Sequence, residues 1–207
     1  MNDKLAAIKT WLGTGSINIF GLPMSGKDTV GVKLAEELGA RFLSSGMIIR
    51  AMEEETKNPM TSNGELIPTD LFYEWILPYF ARDDLKENAL VLSSVGRWSG
   101  EENEVMESAK NAGHEIKAVV LLDVSEDEVM HRWEIVNSLG DEARTVREDD
   151  KNPETFKVRI AEFNEKTKPV IDHYEDLGLL IRVDGNKDRE TVYQETVDAL
   201  YAFATKA

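Results

Sequence analysis

The sequence predicts an α/β protein with a five-stranded parallel sheet flanked by helices, and two observations predict it. Apolar runs of strand length alternate with longer stretches whose apolar residues recur at helical spacing, the pattern of βα units that build a parallel sheet. The first run leads into a glycine-bounded turn and a helix, SINIFGLPMSGKDTVGVKLAEEL over residues 16–38, in the order strand, phosphate-binding loop, helix. With 207 residues, 42% of them hydrophobic, the chain suits one domain with small insertions and has enough apolar side chains for a sizeable core.

Each element has its own local reason. Asp3 to Leu12 is a helix with Leu5, Ile8 and Leu12 on one face, expected to pack beside the sheet and to carry no chemistry. Ser16 to Phe20 is the first strand, Gly21 to Gly26 the loop, and Val30, Leu34 and Leu38 mark a helix that Gly39 stops. Arg41 to Leu43 is a second strand ending at Ser44-Ser45-Gly46, followed by a helix from Met47 to Glu55. The acids Glu53, Glu54 and Glu55 read as a solvated helix face rather than a metal site. Asn58 to Asn63 is a polar turn, punctuated by Gly64 and Pro68 before a helix that starts near Thr69 and that Pro78 kinks or ends. Its aromatics, Phe72, Trp75 and Tyr79, are expected in the core.

Ala89 to Leu92 is a buried strand feeding the loop Ser93-Ser94-Val95-Gly96-Arg97, and Glu101 to Ala112 is the next helix. Ile116 to Leu122 is the fourth strand. Ser125 and Glu128 form a capping box for a helix through Val129, Trp133 and Val136. Leu139 to Asp150 is a polar insertion. Asn152 and Pro153 open a long helix through Phe156, Ile160 and Phe163, interrupted by Pro169 and ended near Gly178. Leu179 to Val183 is the last strand and Thr191 to Phe203 the closing helix.

Composition narrows the function classes. The net charge of −15 leaves no general attraction to nucleic acid or anionic membranes, so basic residues that bind phosphate must be locally concentrated. The absence of cysteine excludes disulfides, a thiol nucleophile and a cysteine zinc site. No segment has transmembrane length and residues 1–15 are charged and amphipathic rather than a signal peptide, so a cytoplasmic location is expected.

The loop carries the chemistry. Backbone N–H groups at a strand-to-helix turn converge on one point, where the helix dipole also favours an anion, and Lys27 adds a mobile positive charge. Gly21, four residues, Gly26 and Lys27 match a P-loop up to the last position, where Asp28 replaces the usual Ser or Thr and Thr29 follows. The bland alternative is that the two glycines merely make a tight turn.

Taken in order, the motifs resemble the adenylate kinase family of nucleoside monophosphate kinases from about Ser16 to the end. GLPMSGKDT resembles the family's GxPGxGKGT loop, LSSGMIIR its STGDMLR segment, SSVGRW its DGFPR segment, and REDDKNPETFKVRI its RxDDxPExxxxRL region. The resemblance implies a P-loop NTPase fold in one domain, 1–207, with a monophosphate-binding insertion at about 45–75, a short lid at about 138–151 and the extra helix in 1–15. It implies ATP phosphates on Gly21, Pro23, Met24, Ser25, Gly26, Lys27, Asp28 and Thr29, with Arg132 against the adenine and Lys187 in the terminal turn near it. It assigns Ser45, Arg50 and Arg97 to the monophosphate, and Arg147 and Arg159 to closure over the transferring phosphate. Lys27, Arg97, Arg147 and Arg159 form the expected catalytic set, the last three shared with the monophosphate site. Transfer between two nucleotides needs two polyanions held in line while charge builds on the transferred oxygens, which arginines serve.

Several residues depart from the family pattern. Met24 and Asp28 each replace a loop glycine, Met47 replaces an acid, and Ser93 stands where the family has the strand-end aspartate of its magnesium-water network. Val136 or Asn137 falls where another phosphate arginine is expected. Arg144 matches nothing securely. Glu101 replaces the glutamine that reads the acceptor base, and either selects a base with donors, such as guanine or cytosine, or simply starts an exposed helix. Asp28 either holds magnesium in place of the missing acid or stabilises its helix end. The resulting expectation is a monomeric kinase using magnesium-bound ATP, with AMP as first-choice acceptor. The alternatives are a monophosphate kinase preferring GMP or CMP, a nucleotide sensor with weak catalysis, and a kinase for a small hydroxyl substrate.

Overall fold

Strand β1 (Ser16–Phe20) runs through the middle of the sheet, and each of its residues is fully buried, the polar Ser16 and Asn18 included. The structure, a computed structural model, describes residues 1–57, 66–138 and 151–206. Strands β2 (Arg41–Ser44), β3 (Leu90–Ser93), β4 (Ile116–Asp123) and β5 (Leu180–Asp184) complete a parallel sheet in the order β2-β3-β1-β4-β5. A central parallel strand is covered on both faces, which is why this sequence uses continuous apolar runs there instead of polar alternation. The chain builds on one side of β1 and then on the other, so a crevice opens at the carboxyl ends of the strands.

The polar residues of β1 are satisfied within the core. Ser16 Oγ donates to the carbonyl of His114 at 2.8 Å. Asn18 Nδ2 donates to the carbonyl of Val95 at 2.8 Å and its Oδ1 accepts from the N–H of the same residue at 3.3 Å. A side chain in β1 therefore clamps the backbone of the loop after β3.

Helices α1 (Asn2–Leu12) and α2 (Lys27–Leu38) cover one face of the sheet, together with the closing helix α9 (Arg189–Ala204). Ile17, Ile19, Leu34, Val120 and Leu200 meet in the core beneath them. The expected apolar face of α1 is buried, and Lys4 reaches Asp198 on α9 at 2.8 Å. Over the other face lie α3 (Ser45–Thr56), α4 (Thr69–Trp75), α5 (Glu101–Asn111), α6 (Glu126–Ser138), α7 (Pro153–Glu162) and α8 (Lys168–Asp176). Their core includes Phe20, Phe72, Trp75, Leu92, Phe156 and Tyr174, so the aromatics of the 69–79 region are mostly core, as expected.

Four local expectations need adjustment. β2 continues to Ser44, which pairs with Ser93, and α3 opens at Ser45 rather than Met47, bringing its first N–H groups to the carboxyl edge. α4 ends at Trp75, and Pro78 sits in the first turn of a separate 3₁₀ helix, Leu77–Ala81, where its missing N–H costs nothing. Pro169 does not interrupt its helix. Phe163–Thr167 form a π turn ahead of it, which widens the backbone and lets Pro169 enter the first turn of α8. The capping box at Ser125 is half made: Glu128 N–H donates to Ser125 Oγ at 3.2 Å, but Ser125 N–H is taken by Asn186 Oδ1 at 3.1 Å. The other expected N-cap, Asn152, accepts from Glu154 N–H at 2.9 Å.

Glu54 and Glu55 are exposed, and among the described residues no group of three or more His, Asp or Glu is placed to hold a metal ion. Among the same residues no helix is long and apolar enough to cross a membrane. The proposed lid, except for its ends at Ser138 and Lys151, lies outside the described residues, as do residues 58–65 of the 45–75 segment.

Candidate active site

The loop Gly21 to Gly26 crosses the carboxyl end of β1. A Cβ on Gly21 would lie 2.5 Å from Ser25 Oγ and 3.0 Å from the carbonyl oxygen of Leu122, so any side chain there would displace Ser25 and crowd the neighbouring strand. Gly26 caps α2 with φ of 91°, which glycine adopts at little steric cost. Met24 has φ of 62°. The loop thus keeps a left-handed backbone where the residue is no longer glycine, at a cost of roughly 1–2 kcal/mol.

A cavity opens on each side of the loop. The first, with about 870 Å³ of empty space including its mouth, is bounded by the loop, α3, the turn after β3, α5 and α7. The predicted Pro23, Lys27, Asp28 and Ser45 line it, as do Arg50, Arg97, Glu101 and Arg159. The second, about 1410 Å³, lies towards α6 and α9 and takes Met24, Ser25, Gly26, Thr29, Arg132 and Lys187. Gly21 lines neither and acts beneath the loop. Arg147 and Arg144 lie outside the described residues.

In the first cavity the cations stand on separate elements. Arg50 is exposed on α3, Arg97 is half-buried in the turn after β3, and Arg159 is half-buried on α7. That turn is held from several sides. Ser94 N–H donates to the carbonyl of Ile19 at 2.9 Å, Ser45 Oγ donates to the carbonyl of Ser94 at 2.8 Å, and Asn18 holds Val95. Lys27 Nζ lies 3.4 Å from the carbonyl of Leu22, over its own loop.

Glu101 is only 2% exposed, which overturns the reading in which it starts an exposed helix. Its Oε2 accepts from the N–H groups of Arg97 and Trp98 at 2.8 and 3.0 Å, and its Oε1 accepts from Thr69 Oγ1 at 3.0 Å. Burial pushes its carboxyl pKa up, against the pull of these hydrogen bonds and of the Arg97 charge. Beside it Trp98 lines the cavity with Lys166 Nζ 4.0 Å from its ring centroid, and its buried Nε1 has no hydrogen-bond partner among the described residues. The sequence reading did not single out Trp98, although its place directly after Arg97 was a signal. Ser93, at the end of β3, donates its hydroxyl to Asp28 Oδ1 at 2.5 Å.

In the second cavity Arg132 uses the edge of its guanidinium. Nε donates to Glu128 Oε1 at 2.7 Å, Nη2 to the carbonyl of Gly185 at 2.7 Å, and Nη1 to the carbonyls of Met24 and Ser25 at 3.4 and 3.3 Å. The arginine ties the loop to the turn after β5. These in-plane bonds leave stacking on a guanidinium face chemically available. Lys187 directs its ammonium to Glu195 at 2.7 Å, so its stem and backbone are what it offers the cavity.

A family model described as adenylate kinase matches residues 19–179. The chain is similar to an adenylate kinase of Thermus thermophilus, with 32% identity over 91% of this chain and 99% of that protein. It is 27% identical to the adenylate kinase of Oceanobacillus iheyensis, over 86% of this chain and 94% of that one. It is also 31% identical to a UMP-CMP kinase of Lentinula edodes, over 89% of this chain and 84% of that protein.

Proposed function

This chain belongs to the adenylate kinase family of nucleoside monophosphate kinases, and on that premise we propose that it reversibly transfers the γ-phosphoryl group of ATP to AMP. The observation that carries the reading is the phosphate loop with a cavity on either side, the first lined by arginines from three different elements. Two polyanions repel one another, and cations from independent elements hold them in line. Lys27 and the loop N–H groups would take the ATP phosphates. Ser45 and Arg50 would hold the acceptor phosphate, while Arg97, Arg147 and Arg159 would meet the charge that builds on the transferred oxygens. Arg132, with its edge tied down, would lay a face against adenine.

Magnesium fits this site as a companion of ATP. A magnesium ion on a nucleotide takes most of its octahedron from phosphate oxygens and water and needs only one or two carboxylates. The first cavity holds Asp28 beside Lys27, and no all-protein metal cage exists among the described residues. When bound, the ion would draw charge off the β and γ phosphates. The reading carries a monomer in the cytoplasm, where both nucleotides are available.

Glu101 supports a second reading, in which the acceptor base is guanine or cytosine. A carboxylate only accepts hydrogen bonds, so an adenine N1 facing it would lack a donor, whereas guanine N1–H and N2–H and cytosine N4–H suit it. A coupled assay with ATP against AMP, GMP, CMP, UMP and dTMP tests both readings, and transfer to none of them would leave a nucleotide sensor. Glu101→Gln is expected to raise AMP turnover relative to GMP and CMP. An unchanged ratio in that variant would end the base-reading role.

A further inference from the structure

We propose that the protein's acid for the ATP-bound divalent ion is Asp28, on the helix after the loop, and that Ser93 at the end of β3 is the hydroxyl that orients it. The proposal rests on the phosphotransferase reading for the presence of ATP at the loop. It explains two departures at once, an acid within the phosphate loop and a serine at the neighbouring strand end.

Asp28 follows Lys27 in the first turn of α2, and both line the same cavity as Ser93 and Arg97. The Ser93 hydroxyl donates to Asp28 Oδ1 at 2.5 Å, the short distance of an O–H bonded to a carboxylate. Residues 65 positions apart are thus joined across the mouth of the crevice, with one carboxylate and one hydroxyl between the loop helix and β3. A carboxylate at the point where loop N–H groups converge on a triphosphate repels that ligand unless a cation lies between them. The divalent ion on ATP supplies that cation. A hydrogen bond from Ser93 also limits the rotamers of Asp28, a pre-orientation that a simple helix-end acid does not need.

A helix-end role alone predicts something different. An acid in the first turn acts on the stability of α2 through the dipole and leaves metal affinity alone. An exchange of side chains separates the two accounts. If the site needs one carboxylate on either side of this contact, then Asp28→Gly combined with Ser93→Asp keeps the charge and moves it to the end of β3, without the hydroxyl.

The test uses the full chain with a non-hydrolysable ATP analogue and measures free Mn²⁺ by its electron paramagnetic resonance signal, so no turnover is needed. Asp28→Gly is expected to weaken Mn²⁺ in the ternary complex by about tenfold or more, while metal-free analogue binds as well as before or tighter. The exchange double variant is expected to return Mn²⁺ affinity to near the parent value. Asp28→Ala, which favours the helix but offers no ligand, should lose the metal as Asp28→Gly does; retained folding is read from thermal unfolding. Parent-like Mn²⁺ affinity in both Asp28 variants overturns the proposal, and so does a double variant that stays as weak as Asp28→Gly. Loss of Mn²⁺ in an otherwise inactive protein would sink the transfer reading but not this one. Normal transfer with unchanged Mn²⁺ affinity would do the reverse.

Discussion

Arg97→Ala is expected to lower kcat on the order of a thousandfold or more, the size of effect seen when an arginine is removed from a transferring phosphate. The turn that carries Arg97 should survive the change, because its backbone is held without the side chain. Glu101 accepts from the N–H of residue 97, Asn18 clamps Val95, and Ser94 N–H is bonded to β1. The half-buried guanidinium itself lines the cavity that also holds Lys27 and Arg159. On the proposed function, removing it takes positive charge from a place where negative charge would develop, so the barrier is expected to rise while the fold is largely kept. Steady-state kinetics beside thermal unfolding separates these effects. Near-parent turnover with a normal melting curve would take Arg97 out of the transfer step. Arg147→Ala carries the same kinetic expectation from its motif, although that residue lies outside the described part of the chain.

Phe156→Ala is expected to be the most destabilising of the changes considered, at about 3–5 kcal/mol. Phe156 is fully buried at the first turns of α7 and stacks on Trp133 of α6 with ring centroids 5.7 Å apart and planes 25° from parallel. The substitution removes an aromatic side chain from a close-packed core and leaves a cavity between the two helices that flank residues 139–150. For a domain of this size the unfolding midpoint should fall on the order of ten degrees. Phe156→Leu, which refills most of the volume, should recover the larger part of the loss. Chemical denaturation of both variants tests this, and a loss below about 1 kcal/mol in the alanine variant would show that α6 and α7 are held together elsewhere. Arg159 is one turn further along α7. A rise in the acceptor KM is therefore expected in Phe156→Ala at temperatures where it is still folded.

What could be read in the sequence was local. Gly21 and Gly26, Lys27 between strand and helix, the apolar runs of β1, β3 and β4, and the N-cap at Asn152 are signals carried within a few residues, and each produced the expected element. The arginines were legible only through motif order, since an isolated arginine in an acidic chain has no local mark that separates ligand binding from a surface ion pair. Gly–Lys–Asp in the loop was visible as an oddity, and so was Ser93, and the family pattern paired them as a missing acid and its replacement, but nothing in their spacing showed that they touch.

The amino-acid sequence by itself determined the α/β class, the phosphate loop and the residues able to neutralise phosphate, because backbone sterics, capping and apolar periodicity act over short stretches of chain. Only the tertiary structure decided the strand order, the burial of Glu101 against Thr69, the anchoring of Arg132 across the loop and the meeting of Asp28 with Ser93. These contacts join residues 32, 108 and 65 positions apart. Their physical cause is the packing of a parallel sheet, which brings the carboxyl ends of distant strands to one edge and there sets hydroxyls, carboxylates and guanidinium groups within hydrogen-bonding distance.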